Sequence, residues 1–306
     1  MLIINGEKMK YIYPKFTNKE LPFVRFGGAG LGNLLFTYAR ALILANETGA
    51  KLVNPTWPCL KIGPVLRREK DKRFYFDLFK NGNGSIDGLK KTCLLLFSEK
   101  TKVNSISDVK SARDGSLLIY DEFKMNFDGL IPYRNLILSD IIGNLKKKNR
   151  KPLEEDFTNA INVHVRCGDF LAPNSENLKN GVNNTRIPIS WYVGIIKQIQ
   201  NSVNKDIKFN IFSDGTDEEL KDILALPNTK RVFYGTSIAD IIALSRSKLI
   251  IASGSSFSMW ARFLGNCNSI SYLNQRKDFV GDKTVFEIET DSLIAKKELE
   301  KIYMLF

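Results

Sequence analysis

The chain has 306 residues, of which 43% are hydrophobic and 25% charged, and no tract of strongly biased composition. This excludes a low-complexity protein and predicts a globular one with room for two domains of ordinary size. A formal charge of +12 and a pI near 9.4 indicate a surface that attracts anions such as a sugar nucleotide, a nucleic acid or an acidic membrane face.

The four cysteines are too far apart in the sequence for a CxxC metal or redox motif. The opening stretch MLIINGEKMK lacks the long apolar core of a secretion signal, and no later stretch approaches the length of a membrane-spanning helix. We therefore expect free thiols in a reducing compartment. The protein is expected to be cytoplasmic, with possible peripheral attachment to the inner face of the membrane.

The first predicted unit contains a glycine-rich loop. A strand, this loop, a helix and a second strand follow one another at Leu21–Phe26, Gly27–Gly32, Asn33–Thr48 and Lys51–Val53. The helix is predicted to end at Gly49, and the βαβ pattern places the loop at the carboxyl end of the first strand. The spacing fits neither GxGxxG nor GxxxxGK, but Gly30 and Gly32 would let backbone amides approach a bound donor. Tight packing of the helix on its strand explains the glycines equally well.

The remainder of the first half offers fewer signals. Trp57 could stack on an acceptor sugar, although a buried tryptophan is the commoner outcome. Asn81–Gly88 predicts a turn and Thr92–Phe97 a buried strand. The lysine-rich stretch within Asp140–Pro152 is a solvated linker or a contact for anionic lipid, and there we place the domain boundary, between residues 1–150 and 151–306.

Strands and helices alternate regularly in the second half. Strands are predicted at 161–166, 208–213, 231–234, 249–252 and 269–273, and helices at 217–226, 238–245, 257–265 and 291–304 and from residue 190. This pattern predicts a doubly wound parallel sheet of the α/β class, with its ligand crevice beyond the carboxyl ends of the strands. In the first of these strands, valines alternate with His164, the only histidine, and Arg166, which predicts a half-buried strand.

Three polar strand ends should meet at that crevice: Arg166–Asp169, Ser213–Asp214 and Ser253–Ser256. Ser255 and Ser256 precede a helix, where hydroxyls and first-turn amides bind anions. Arg166 can bind a phosphate through two parallel hydrogen bonds, and Asp214 can accept hydrogen bonds from guanine or from a ribose hydroxyl. Helix capping by the serines and Asp214, and a structural ion pair for Arg166, are the alternatives. Together, the three ends predict a site for a nucleoside diphosphate.

Four motifs resemble those of the bacterial α-1,2-fucosyltransferases of glycosyltransferase family 11. They are AGLGNLLFTYA, an HxRRGDY-like strand end, an FSDD-like segment and IIASGSSFSMWARFLG, at Ala29–Ala39, His164–Phe170, Phe212–Gly215 and Ile250–Gly265. The resemblance implies a GT-B-like fold, with two Rossmann-like domains facing a cleft. It also implies an inverting enzyme that moves L-fucose from GDP-β-L-fucose to a hydroxyl, such as galactose O2, of a cell-surface glycan precursor.

The same resemblance suggests roles for individual residues. Arg166 would stabilise the charge that develops on the β-phosphate, and His164 would orient the diphosphate or the acceptor side. Asn33 would line the catalytic cleft, and the diphosphate would be held by Ser255, Ser256 and Phe257. Asp169 is a candidate base by its location, with capping of the turn as the alternative. No metal cofactor is expected, and the sequence also lacks the Asp-x-Asp pair through which many nucleotide-sugar enzymes hold one.

Several positions depart from the family pattern. Cys167 replaces the second arginine of HxRRGDY, Leu34 and Thr37 replace two glutamines, and Met259 replaces one of two tryptophans. These changes affect acceptor choice and linkage more than the donor motifs.

The expected partners are GDP-fucose and an oligosaccharide or lipid-linked glycan acceptor. A related transferase with another linkage or GDP-sugar is the nearer alternative. A basic nucleic-acid-binding protein is the alternative from another class, but no RRM, KH or helix-turn-helix signature favours a nucleic-acid partner.

Overall fold

A computed structural model of the chain describes residues 9–67, 69, 71–80, 84–203, 206–278 and 280–306. The chain forms two compact units, of which the first comprises the described residues within Met1–Ile62 and Arg73–Lys147. The second comprises those within Gly63–Lys72 and Lys148–Phe306, so a short segment of the first half belongs to it. Residues 1–8 of the opening stretch and residues 81–83 of the predicted turn lie outside the described part.

The elements of the first half are short apart from one long helix. In chain order they are β1 (Tyr11–Pro14), β2 (Arg25–Phe26), α1 (Leu31–Thr48), β3 (Lys51–Leu52), β4 (Cys59–Leu60), α2 (Gly63–Leu66), α3 (Gly88–Phe97), β5 (Lys100–Lys102), α4 (Ile106–Ser111), β6 (Leu117–Tyr120), a 3₁₀ turn (Ile131–Tyr133) and α5 (Arg134–Asn144). The parallel sheet of the first unit has the strand order β3-β1-β6-β5, and β2 pairs with β4 separately.

The predicted βαβ unit was wrong in its first strand. The strand that α1 connects to β3 is β1, whereas only Arg25–Phe26 of the predicted strand is extended, and it lies outside the larger sheet. Pro22 cannot donate a ladder hydrogen bond, and the side chains of Leu21 and Phe23 are exposed. The helix begins at Leu31 and ends as predicted, with Gly49 at a φ of 71°.

The predicted strand Thr92–Phe97 was also wrong, because these residues form the end of helix α3. Asp87 caps this helix by accepting a hydrogen bond from the backbone N–H of Gly88. Leu94 and Leu95 pack on the first unit's sheet, whereas Leu96 and Phe97 are exposed. A short apolar run suits a buried strand and a helix equally well, so its pattern could not distinguish them.

The second unit contains the longer strands. After a 3₁₀ segment at Lys147–Leu153 come β7 (Ala160–Val165), α6 (Ser175–Lys179), α7 (Ile189–Ser202), β8 (Lys208–Ser213), α8 (Lys221–Leu224), β9 (Thr229–Arg231), α9 (Ser237–Ser245), β10 (Leu249–Ala252), α10 (Ser256–Gly265), β11 (Asn268–Ser271), β12 (Glu287–Glu289) and α11 (Lys296–Tyr303). All six strands are parallel, in the order β12-β11-β10-β7-β8-β9. This is the doubly wound order, with its switch point between β7 and β10.

Hydrophobic side chains cover both faces of this sheet. On one face, Ile161 and Val163 of β7 pack with side chains of α7, α8 and α11. On the other, Ile250 of β10 packs with side chains of α9 and α10. Every residue of β7 is therefore buried, so the predicted half-buried strand was wrong, because a central parallel strand is covered on both sides.

A buried ion pair connects α10 to β12. Arg262 is 1% exposed, and its Nη1 lies 3.4 Å from Oε2 of the fully buried Glu287. Burial lowers the pKa of Arg262, and the nearby Glu287 carboxylate acts in the opposite direction. Removing the Glu287 carboxylate would leave the Arg262 guanidinium buried without its ion-pair partner, at a cost of about 3–5 kcal/mol. The pair therefore fixes the helix that follows β10.

All four cysteines are free thiols, as expected. None of the helices in the described residues is long and apolar enough to cross a membrane.

Candidate functional site

The polar ends of β7, β8 and β10 lie next to one another because these three strands are neighbours in the sheet. Arg166 follows β7, Asp214 follows β8 and Ser253 follows β10. In a sheet of this order the connections that follow β7 and β10 run to opposite sides, which is the topology that forms a ligand crevice beyond the strand ends. The sequence prediction that these ends converge is confirmed for the loops after β7 and β8, which are in direct contact.

Arg166 is held by two carboxylates. Its Nη1 donates to Asp214, its Nη2 donates to Asp169, and its guanidinium lies 5.0 Å from the ring centre of Phe170. The second carboxylate oxygen of Asp214 accepts a hydrogen bond of 2.8 Å from the backbone N–H of Cys167. A structural ion pair was the alternative role predicted for Arg166. These two ion pairs hold the guanidinium beside the strand ends.

Two residues, Gly168 and Arg186, brace the loop after β7. Gly168 has a φ of +35°, and a Cβ atom there would overlap the Asp214 carboxylate. Arg186 donates hydrogen bonds of 3.0 Å to the carbonyls of Gly168 and Phe170. The Gly168 requirement could be inferred from the Gly-Asp turn, but the Arg186 contacts span 16 to 18 residues and have no local signature.

Cys167, where the sequence departs from the family pattern, is part of this loop. Its side chain is 4% exposed and belongs to the core cluster of the second unit. Burial raises the pKa of the thiol to about 11, so it is protonated at neutral pH. The arginine expected here is thus replaced by a neutral core residue.

His164 lies on β7 in a pocket of hydroxyl groups. Its Nδ1 is 2.7 Å from Oγ of Ser258 and 2.9 Å from Oγ of Ser253, and its ring stacks on Phe257 at 4.8 Å. Ser258 was missed by the sequence analysis because it lies within the first turn of α10 and not at the cap position. Its position one turn after Ser255 is the signal that could have identified it.

The imidazole of His164 is neutral. Burial lowers its pKa to about 3; nearby Asp214 opposes this shift and Arg166 adds to it. Ser258 Oγ already accepts a hydrogen bond of 3.2 Å from the backbone N–H of Ser253, so its own hydrogen can be donated to Nδ1. We therefore expect the Nε2–H tautomer, a neutral hydrogen-bond donor.

The contact between Ser258 and His164 is not that of a hydrolytic triad. Taking a proton from a serine would place a positive charge on a ring that is only 5% exposed, which burial opposes. The hydroxyls instead fix the orientation of the ring.

The amino terminus of α10 is suited to an anion. Ser255 occupies the N-cap position, but its side chain makes no capping hydrogen bond and lies 3.0 Å from Oγ of Ser253. The first-turn amides, including those of Ser256 and Phe257, have no side-chain cap, and the helix dipole adds positive potential there. Binding of an anion by these serines stays a prediction, and the uncapped helix terminus is compatible with it. Ser213 accepts a hydrogen bond of 3.0 Å from Gly215 N–H, which shapes the neighbouring turn.

The remaining predicted residues belong to the first unit. Gly30 precedes α1, Gly32 lies inside the helix rather than in the loop, and Asn33 is half-buried in its first turn. Trp57 is 5% exposed, and its ring lies 4.7–5.4 Å from those of Phe16, Tyr38 and Phe79. Sugar contact by Trp57 stays a prediction that this packing does not favour.

Groups of three or more His, Cys, Asp or Glu residues that could hold a metal ion are not found in the described part of the chain.

The neutrality of His164 can be measured directly, because the chain has one histidine. Two-dimensional NMR of ¹⁵N-histidine-labelled protein should show one imidazole in the neutral Nε2–H form, without titration between pH 7 and pH 5. Since the pKa in the unfolded chain is about 6.5, this histidine should favour the folded state fully above that pH, and its contribution should be lost as the pH falls toward 3. A resonance that titrates near pH 6.5 would contradict a buried neutral ring.

A solved structure of a fucosyltransferase shares this fold, and others resemble it less closely. The NodZ fucosyltransferase from Bradyrhizobium matches with a TM-score of 0.51 and 17% identity, over 84% of this chain and 94% of that chain. A second NodZ structure, described as an α-1,6-fucosyltransferase co-crystallised with GDP, matches with a TM-score of 0.49 and 16% identity, over 84% of this chain and 93% of that chain. A mutant of Arabidopsis thaliana FUT1 in complex with GDP matches with a TM-score of 0.49 and 11% identity, over 92% of this chain and 73% of that chain. The predicted GT-B-like α/β fold class is confirmed.

One of two sequence comparisons, the one with protein-family models, agrees with the motifs. A search of curated proteins finds no significant match. The family model for glycosyl transferase family 11 matches residues 132–289, more than half of the chain, and covers the three motifs of the second unit but not the amino-terminal one. The chain therefore belongs to glycosyl transferase family 11.

Proposed function

We propose that this protein is an inverting fucosyltransferase that works without a metal ion. It transfers L-fucose from GDP-β-L-fucose to a hydroxyl group of a cell-surface glycan precursor, with O2 of galactose as the acceptor and an α-1,2 linkage as the product. Membership of family 11 and the amino-terminal motif Ala29–Ala39 support this choice.

The arrangement at the switch point of the six-stranded sheet carries the proposal. The neutral donor His164 lies on β7 and Arg166 follows this strand, while the uncapped amino terminus of α10 follows the adjacent strand β10. Each of these groups favours a phosphate oxygen, and together they can surround a diphosphate. In this proposal Ser255, Ser256 and Phe257 bind the diphosphate through the first turn of α10. Ser213 and Asp214 lie on the side of the nucleoside.

Arg166 has to change partners when the donor binds. One arginine and two aspartates, Arg166, Asp169 and Asp214, together carry a net charge of −1, which would repel a diphosphate. Asp169 is 51% exposed and therefore the easier carboxylate to release, whereas Asp214 is 17% exposed and bound to the loop backbone. Arg166 thus keeps Asp214 and exchanges Asp169 for the β-phosphate, where negative charge develops as GDP departs.

The exchange gives Asp169 a second role. When Arg166 turns to the phosphate, the Asp169 carboxylate can accept the proton of the acceptor hydroxyl as general base. In this proposal Asn33 serves the transfer and Gly30 and Gly32 the donor, as the resemblance of the amino-terminal motif implies. The acceptor is an oligosaccharide or a lipid-linked glycan.

The cysteines bear on two further questions, the location of the protein and its specificity. The free thiols fit a reducing compartment and support a cytoplasmic location. The neutral Cys167 in place of an arginine favours a second candidate, a family 11 transferase that uses another linkage or another GDP-sugar.

A transfer assay tests the proposed reaction. The protein, GDP-fucose and a set of galactosides, with GDP-mannose and UDP-galactose as alternative donors, should give a fucosylated product from GDP-fucose alone. Methylation analysis should place the new bond at galactose O2, and excess EDTA should leave the rate unchanged. A product from another donor, another linkage or a rate restored only by Mn²⁺ would contradict the corresponding part of the proposal.

The substitution Arg166→Lys tests the role of the guanidinium. Lysine keeps the charge beside Asp214 but cannot make two parallel hydrogen bonds to phosphate, so kcat should fall by about 100-fold while the unfolding midpoint is retained. Arg246→Lys is the matched control, because Arg246 is an exposed arginine of the same unit that donates to the Glu155 carbonyl. Near-normal turnover by Arg166→Lys would remove Arg166 from the mechanism.

A further inference from the structure

Helix α3 of the first unit presents an apolar face to solvent. Leu89, Leu96 and Phe97 are 84%, 60% and 82% exposed, and Cys93 is also exposed. These positions are i, i+7, i+8 and i+4, so the four side chains lie on one side of the helix. We call this surface the α3 stripe.

The core of the first unit does not need these side chains. The opposite side of α3 supplies Leu94 and Leu95 to the cluster around Tyr13 and Val53, and Lys91 from that side donates to Thr56 Oγ1 at 3.1 Å. Single exposed leucines are ordinary in soluble proteins, but several large apolar side chains on one face of a ten-residue helix indicate a contact surface.

Positive charge borders the α3 stripe. Lys90 is exposed on the helix itself, and Lys100 is exposed on the edge strand β5 that follows it, where Lys102 pairs with Asp121 at 2.8 Å. The acidic residues of the same segment have partners: Glu99 pairs with Arg113 at 3.0 Å, and Asp87 caps the helix. An apolar strip with a basic border is complementary to an anionic lipid surface, where side chains enter the interface and lysines meet head groups.

A second copy of the chain fits this surface less well. In a two-fold contact the α3 stripe would meet itself, so the bordering lysines of both copies would approach one another. The net charge of +12 adds to this repulsion, whereas an anionic membrane attracts it.

We propose that the α3 stripe docks the protein on anionic lipid bilayers. The inference rests on the surface of the first unit and not on the donor site, although docking would suit a lipid-linked acceptor. Vesicle binding and sugar transfer can therefore fail independently of each other.

Flotation with lipid vesicles tests the docking surface. The purified chain should float with vesicles of phosphatidylcholine containing phosphatidylglycerol, but not with phosphatidylcholine alone, and high salt should weaken the binding. The double substitution Leu96→Ser and Phe97→Ser should lower binding about tenfold or more. Leu293→Ser, which alters a 64% exposed leucine of the second unit, should bind as the original protein does.

A fluorescence experiment tests membrane docking without relying on the double variant. The chain's own tryptophans are buried, so Phe97→Trp would add an exposed one. The emission of this added tryptophan should shift to shorter wavelength with anionic vesicles and be quenched by brominated lipid. The proposal would be overturned by equal flotation of the double variant, by an unshifted emission of the added tryptophan or by failure of the original protein to float. A stripe variant that alters only self-association would point to a second copy instead.

Discussion

The order of the strands in the second unit is the constraint on which the site depends. Because β7 and β10 are neighbours that lead the chain to opposite sides, the loops after them diverge and leave space beyond the strand ends. Residues separated by 89 positions in the sequence, such as His164 and Ser253, thereby come within hydrogen-bond distance. The same geometry directs the amino terminus of α10 toward that space. No local motif could create this arrangement by itself.

Two neighbouring side chains of β7 and its loop show how position determines chemistry. His164 is enclosed by serines and an aromatic ring, and it is neutral because burial disfavours its charged form. Arg166, two residues later, reaches the edge of the core, where it pairs with two carboxylates. One group is a fixed neutral donor and the other a cation that can exchange partners. A diphosphate needs both kinds of contact, which is why the pair supports a donor site better than either residue alone.

Much of the second unit could be predicted because its strands are continuous apolar runs between clear turn signals. The strands Lys208–Ser213 and Leu249–Ala252 have the predicted bounds. The first unit was harder, because β1 ends in a proline, which is unusual in a central strand, and the apolar run at the end of α3 resembles a strand. At the site, the convergence of strand ends followed from topology. The contacts of Ser258 depend on how α10 packs on β7, which sequence spacing does not determine.

The central claim is that the ends of β7, β8 and β10 bind the GDP part of the donor through protein groups alone. Calorimetric titration of the full chain with GDP and with UDP, both in excess EDTA, tests this most directly. The account predicts saturable binding of GDP with one site per chain and much weaker binding of UDP. Binding of GDP that requires added Mn²⁺, or equal affinity for the two nucleotides, would contradict it.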